Sequence, residues 1–308
     1  MSLRRRQAHR AHRRCVAVAN LTAITKTKPN DTQAVVVTGA SSGIGHATAL
    51  QLARDGFIVF AGARSERDLT RLASDHESIR PVQLDVTDAG SVAHAFDVVR
   101  ASGVPLHGLI NNAGIALGGP LEHLPLADLR KQLEVNVIGT VAVTQAAIPL
   151  LRKTHGRIVT IGSIASRFGA PFLGPYCASK AALAMLMDSL RFELAPAGIS
   201  VSLFEFAAVK TPIWQKGREL KDDLTARLPA QALDDYAPLV EAAMRQIDRE
   251  ERVGLDVAAV AGAIASALRA PRPRARYVVG KQAHVQAVVA ALPHRLRDNM
   301  VRSVLHIP

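Results

Sequence analysis

A chain of 308 residues, 48% of them hydrophobic, can bury one sizeable core and fits a single main domain with appendages. Its formal charge of +12 invites a nucleic-acid reading, but residues 1–30 hold eight Lys/Arg and no acid, which leaves only +4 on the rest. A body so close to neutral argues against a basic binding face, and no nucleic-acid partner is expected.

Residues 1–30 are Arg-rich and lack apolar periodicity, so they read as a disordered extension or a misassigned start. A mitochondrial targeting role and contact with an anionic surface are the other readings; no compact apolar run with a cleavage site suggests secretion. From residue 33 short apolar runs alternate with longer amphipathic stretches, the pattern of repeated strand-helix-strand units. Strands are predicted at 34–37, 57–61, 81–84, 106–110, 157–161, 200–204 and 276–279, with helices such as 43–54, 128–151 and 176–194 between them. The expected fold is α/β: a doubly wound, mainly parallel seven-stranded sheet with helices on both faces, forming one domain over residues 31–308. The longest uncharged run, 135–151, is interrupted by Asn136, Gly139, Gln145 and Pro149 and is too short for a transmembrane segment. Residues 209–252 are charged, helix-prone and inserted before the last strand, a candidate substrate lid. Two cysteines, Cys15 and Cys177, do not make a disulfide framework and fit a reducing cytoplasm.

The chemistry begins directly after the first strand, at Thr38-Gly39-Ala40-Ser41-Ser42-Gly43-Ile44-Gly45. Glycines there permit a tight turn and let backbone N–H groups approach a pyrophosphate at a helix N-terminus, as in a dinucleotide-binding loop. A second turn, Asn111-Asn112-Ala113-Gly114, follows the fourth strand, where the carboxyl ends of strands border the same crevice. Ser163 stands just past the fifth strand, and Tyr176-Cys177-Ala178-Ser179-Lys180 opens a helix, with Tyr176 and Lys180 one turn apart on one face. Chance supplies a Tyr-x-x-x-Lys in about one chain in ten of this composition, so the pair gains weight only from its company. The histidines form no metal-ligand cluster, no metal is assigned, and Cys177 is read as a packing residue.

With Asn136 between them, these motifs occur in order over residues 33–280, and the chain resembles the short-chain dehydrogenase/reductase family, whose domain is Rossmann-type. The resemblance implies an enzyme that moves a hydride between nicotinamide and an alcohol or carbonyl substrate. Tyr176 would exchange the proton, Ser163 would hold the substrate oxygen, and Asn136 would hold a water linking Lys180 to solvent. Lys180 would also bind the nicotinamide ribose. A phenol of pKa near 10 suits neutral pH poorly, but a cation about 4 Å away at an effective dielectric near 20 contributes about 4 kcal/mol and would bring Tyr176 toward neutrality. The remaining cofactor contacts implied are Gly39, Ser41, Ser42, Gly43, Ile44, Gly45, Asp85, Val86, Asn112, Ala113, Gly114, Val209 and Thr211. Family members commonly pair their long helices, so a homodimer or homotetramer is expected.

Two positions carry finer expectations. Where an NAD-preferring relative would place an acid, this chain has Ala63, followed by Arg64 and Ser65, which favours NADP(H) over NAD(H) because a guanidinium can bind a 2′-phosphate. After the sixth strand, Phe206 and Ala207 replace the family's usual Pro-Gly, and loss of a fixed φ and of a glycine would reshape the nicotinamide loop. That departure keeps open an alternative, a cofactor-binding regulatory or scaffold protein with impaired turnover. The substrate is expected to be lipophilic, of steroid, retinoid or long-chain type, from resemblance around 171–176 and 274–280.

Overall fold

The computed structural model describes residues 32–211 and 228–305. The predicted tail, 1–30, and residues 212–227 of the predicted lid lie outside them. Seven strands, β1 (Ala34–Val37), β2 (Ile58–Ala63), β3 (Ile79–Gln83), β4 (Leu106–Asn111), β5 (Arg157–Ile161), β6 (Ser200–Phe206) and β7 (Arg276–Val279), form one parallel sheet in the order β3-β2-β1-β4-β5-β6-β7. Strand order reverses between β1 and β4, which opens a crevice at their carboxyl ends.

Alternation along each strand sends side chains to two cores. Val35 and Val37 of β1 face α1 (Gly43–Arg54) and α8 (Val257–Arg269), where Leu52, Val260 and Ile264 are fully buried. Ala34 and Val36 face the other way, toward α3 (Ala89–Ala101), α5 (Gly139–Leu151) and α6 (Gly174–Leu194), with Phe96, Val143 and Leu183 at the centre. Each large apolar side chain so enclosed contributes about 1.5–3 kcal/mol. α2 (Glu66–Asp75) covers β2 and β3, its Leu72 fully buried. α9 (Lys281–Ala290) follows β7, and α10 (His294–Leu305) packs on α7 (Ala230–Val253), the described part of the predicted lid.

The predicted helix 128–151 is three pieces: α4 (Leu126–Leu133), a five-residue π-helical segment Glu134–Ile138, and α5. The π segment holds Asn136, in keeping with the concentration of such bulges at functional sites. The continuous run Leu126–Leu151 is longer than the uncharged stretch, and with a mean hydropathy of 1.4 it is long and apolar enough to cross a membrane. Val143, Ala147 and Leu151 are each 0% exposed, so one face of this run packs into the core, while Ile138 is exposed; a buried core helix can satisfy the same length and composition criterion. β6 extends two residues beyond expectation because Phe206, unlike a proline, continues the strand opposite Val279.

Candidate active site

At the carboxyl end of β1 the chain turns through Gly39 (φ +62°) and Gly43 (φ +56°) into α1. A Cβ on Gly45 would sit 2.3 Å from Asn112 Nδ2 and 2.4 Å from the Gly39 oxygen, so only glycine permits this approach. Asn112 braces the loop, donating from Nδ2 to the Thr38 and Gly39 carbonyls at 2.9 and 3.0 Å. The Thr38 hydroxyl accepts from the amides of Asn112 and Ala113, both at 2.9 Å. Asn112 therefore shapes the cradle through its side chain. Ser42, the N-cap of α1, makes no side-chain capping bond, and the first turn carries no acid. The opening amides of α1, including those of Gly43, Ile44 and Gly45, thus face an anion-friendly opening, and the residues fit a dinucleotide pyrophosphate.

At the end of β2, Ala63 is buried and Arg64 exposed. Burial raises the Asp85 carboxyl, but bonds from the Thr87 amide and hydroxyl (2.9 and 2.7 Å) and the field of Arg64 outweigh it and hold the group below its usual range. Ser65 caps α2, accepting from the Asp68 amide at 3.2 Å. Val86 is buried against Gly139, where any Cβ would lie 2.7 Å from its Cγ2, so Val86 shapes the wall beyond β3. His46 pairs with Asp75 of α2 at 2.8 Å and tethers α1 to α2.

Past β4 and β5 the other predicted residues converge. Asn136 is 1% exposed; its Oδ1 accepts from the Ile115 amide at 2.9 Å, and its Nδ2 donates to the Ile115 carbonyl (2.9 Å) and Ser179 Oγ (3.1 Å). Through these bonds the side chain pins the loop after Gly114 to α6. Ser163 caps a 3-10 turn, Ile164–Ser166, accepting from the Ala165 amide at 3.1 Å, and hydrogen-bonds Tyr176. Lys180 is 6% exposed, donates to the Ile161 carbonyl at 2.8 Å and lies 5.8 Å from the Tyr176 ring centre.

The electrostatics correct the expectation for Tyr176. Burial pushes its phenol above the ordinary value, and the bond with Ser163 opposes this only in part. Lys180 is itself lowered to about 8 by burial. Its ammonium is anchored on the Ile161 carbonyl and faces the Tyr176 ring. Cys177 is buried and its thiol raised by that burial, in keeping with packing.

After β6 the loop is regular. Phe206 is 4% exposed, packed in the core with its ring 6.5 Å from that of Phe204. Ala207 is not among the residues with positive φ, so an alanine replaces the glycine without strain. Val209 is buried and bridges Leu255, with Lys210 N–H donating to the Leu255 carbonyl and Leu255 N–H to Ala208, both at 2.9 Å; Thr211 ends this strip, partly exposed. The anticipated reshaping is thus a strand that runs on through Glu205 and the packed Phe206. Above it, Tyr236 of α7 donates to Glu122 at 2.9 Å and meets Phe172 edge-on at 6.0 Å, so α7 borders the loops that precede Tyr176 and follow β4.

Three contributors went unnoticed in the sequence. Gln132, fully buried, accepts from the Leu117 amide (2.7 Å) and donates to the Ile115 carbonyl (2.8 Å). Its i,i+4 spacing from Asn136 was a readable signal. Ser179, at i+3 from Tyr176, joins Asn136 to the Tyr176 carbonyl. Glu205 is a carboxylate buried inside β6, and nothing local marks it.

The model of the short chain dehydrogenase family matches residues 33–222. Among curated proteins, the chain is 36% identical to the 3-amino-tetrahydro-pyrrolizinone reductase of Xenorhabdus hominickii, covering 82% of this chain and 88% of that one. It is 35% identical to the NADPH-dependent 3-dehydrocapnine reductase of Ornithobacterium rhinotracheale (86% and 94% covered) and to mouse retinol dehydrogenase 5 (89% of each). Among solved structures, a Burkholderia phymatum short chain dehydrogenase/reductase in complex with NAD superposes with TM-score 0.71 at 26% identity, covering 90% of this chain and 96% of that one. A Burkholderia cenocepacia short chain dehydrogenase in complex with NADP gives 0.68 at 25%, covering 90% and 99%. Cradle, crevice and kinship agree: the chain belongs to the short-chain dehydrogenase/reductase family and is an NAD(P)-dependent oxidoreductase acting on alcohol and carbonyl groups.

Proposed function

We propose that the chain interconverts a lipophilic alcohol and its carbonyl using NADP(H), with Tyr176 as the proton-transfer residue. One observation carries the reading: Ser163, Tyr176 and Lys180 meet beyond the carboxyl end of β5, beside the glycine cradle of β1 and β4. Nicotinamide, when bound, supplies or accepts the hydride. The Tyr176 hydroxyl gives up or takes the proton of the substrate oxygen, and Ser163 shares that hydrogen bond. Lys180 places a positive charge in a water-poor site, where it is felt strongly by a nearby developing phenolate. Asn136 and Gln132 act as positioning residues, holding the loop after Asn112-Ala113-Gly114 against α4 and α6.

The NADP(H) preference rests on Ala63 and Arg64 and is supported by the NADPH-dependent relative. Val209 and Thr211 are proposed to meet the nicotinamide end. A lipophilic substrate is supported by the aromatic rim of Phe172 and Tyr236 and by the kinship with a retinol dehydrogenase. Exposed Met185, Leu186 and Phe192 along α6, with Ile138 beside α5, support a homodimer or homotetramer paired through these helices. The free, buried Cys177 accords with a cytoplasmic setting. An alcohol and carbonyl panel followed by absorbance of the reduced cofactor tests the activity. Titration of wild type and Arg64→Ala with both cofactors tests the preference. A charge-assisted contact is worth about 1.5–3 kcal/mol, so Arg64→Ala is expected to weaken NADP about ten- to a hundredfold and NAD little. Equal NADP affinity in the two proteins, or a wild-type preference for NAD, contradicts the assignment.

A further inference from the structure

The odd-numbered residues Val201 and Leu203 of β6 turn inward to the core under α6, and Glu205 continues that row with 0% exposure. A carboxylate there demands partners, because burying an unpaired charge is heavily disfavoured. It has three. Ser166 Oγ donates to Oε1 at 2.9 Å, Arg167 Nε donates to Oε1 at 3.1 Å, and Arg167 Nη2 donates to Oε2 at 2.5 Å. From β7, Arg276 Nη1 lies 3.5 Å from Oε1, while its Nη2 bonds Asp188 of α6. Arg191, at 3.1 Å from Asp188, ends the series. The charges alternate along the chain Arg167, Glu205, Arg276, Asp188, Arg191. Glu205 holds the Arg167 guanidinium more firmly protonated than usual.

The three elements joined by this array are those on which the proposed chemistry depends. Ser166 and Arg167 end the turn that Ser163 caps, and the Ser166 amide donates to the Ser163 carbonyl at 3.0 Å. Glu205 immediately precedes Phe206 and the loop carrying Val209 and Thr211. Asp188 lies on the helix that presents Tyr176 and Lys180. We propose that Glu205 is a positioning residue: its buried carboxylate clamps the Ser163 turn to the end of β6 and, through Arg276 and Asp188, to α6, fixing Ser163 relative to Tyr176. The clamp's effect on turnover rests on the catalytic reading above; the clamp itself does not.

Glu205→Gln tests it, since glutamine keeps the shape and the Ser166 bond but removes the charge that both arginines face. In full-length enzyme the expected result is a fall in kcat of tenfold or more, with a smaller loss of NADP(H) affinity, because the pyrophosphate cradle is untouched and only the Val209 and Thr211 loop loosens. In a Ser163→Ala background the same change should lower kcat less than threefold further, since residues acting as one unit are not additive. Full additivity of the two losses would overturn the proposal. Hydrogen exchange in the cofactor-free chain provides an arm that needs no substrate. Amides of 162–168 and 206–211 should exchange at least tenfold faster in Glu205→Gln while β1 and α1 keep their rates. Unchanged exchange at 162–168, or a uniform acceleration everywhere, would also overturn it. A wild type that turns over no alcohol or carbonyl would sink the catalytic reading and leave the exchange arm decisive. Should Glu205→Gln not fold, Arg167→Gln removes one half-exposed partner and is read by the same two measurements.

Discussion

Lys180 places an ammonium where burial lowers its pKa from 10.5 to about 8, and that depression has a thermodynamic signature separable from catalysis. Between pH 8 and 10.5 the unfolded chain binds a proton at this side chain that the folded chain has already released. Stability therefore rises with pH across this window, and the penalty is complete below pH 8. A depression of this size corresponds to about 3 kcal/mol. Lys180→Met abolishes the titration. It also strands the Ile161 carbonyl, which loses a 2.8 Å bond at a cost of about 1–3 kcal/mol, but that cost does not vary with pH. Urea unfolding of wild type and Lys180→Met at half-unit steps from pH 7 to 10 isolates the difference. The variant should be at its best relative to wild type at pH 7 and lose about 2–3 kcal/mol of that relative standing by pH 10. A difference that stays constant across this range, or one that grows in favour of the variant as pH rises, would refute a buried, depressed ammonium at this position.

Other outcomes follow from the same geometry. His107 is stacked on Phe57 (6.1 Å between ring centres) and held below its ordinary pKa mainly by burial, then by Arg157, against an opposing bond to the Leu268 carbonyl. Because the fold disfavours its protonation, wild type should lose stability as pH falls below about 6.5 more steeply than His107→Phe; parallel pH profiles of Tm would contradict this. Replacing Phe206-Ala207 by the family's usual Pro-Gly removes a core side chain and a residue of β6, and is expected to cost roughly 3 kcal/mol or more, lowering Tm by several degrees. A gain in Tm for that double change would show that Phe206 is poorly accommodated.

Much of this was legible because the signals are local. Glycines, the Asn111-Asn112-Ala113-Gly114 turn and the Tyr176/Lys180 pair each lie within one turn or loop, and all seven strands begin and end within two residues of their apolar runs. What escaped depends on residues far apart in sequence. The π segment carries Asn136, whose bond to Ile115 spans 21 positions. The role of Ser65 as the cap of α2 depends on where that helix begins. The rise of the Tyr176 phenol comes from burial, which a spacing of four does not reveal, since i,i+4 fixes a shared face and leaves the direction of a long lysine side chain to its tertiary partner, here the Ile161 carbonyl. Glu205 is the furthest case: its partners come from β7 and the turn after β5, and a lone glutamate in an apolar strand gives no sign of them.

The central claim is that the Tyr176 hydroxyl moves the proton, and Tyr176→Phe tests it most directly because one oxygen is removed from a ring that is otherwise retained. On an alcohol or carbonyl that wild type turns over, the variant should lose at least a thousandfold in kcat, the scale of a positioned acid or base, while its NADP(H) affinity stays within about threefold of wild type. Retention of wild-type turnover by Tyr176→Phe would contradict the account.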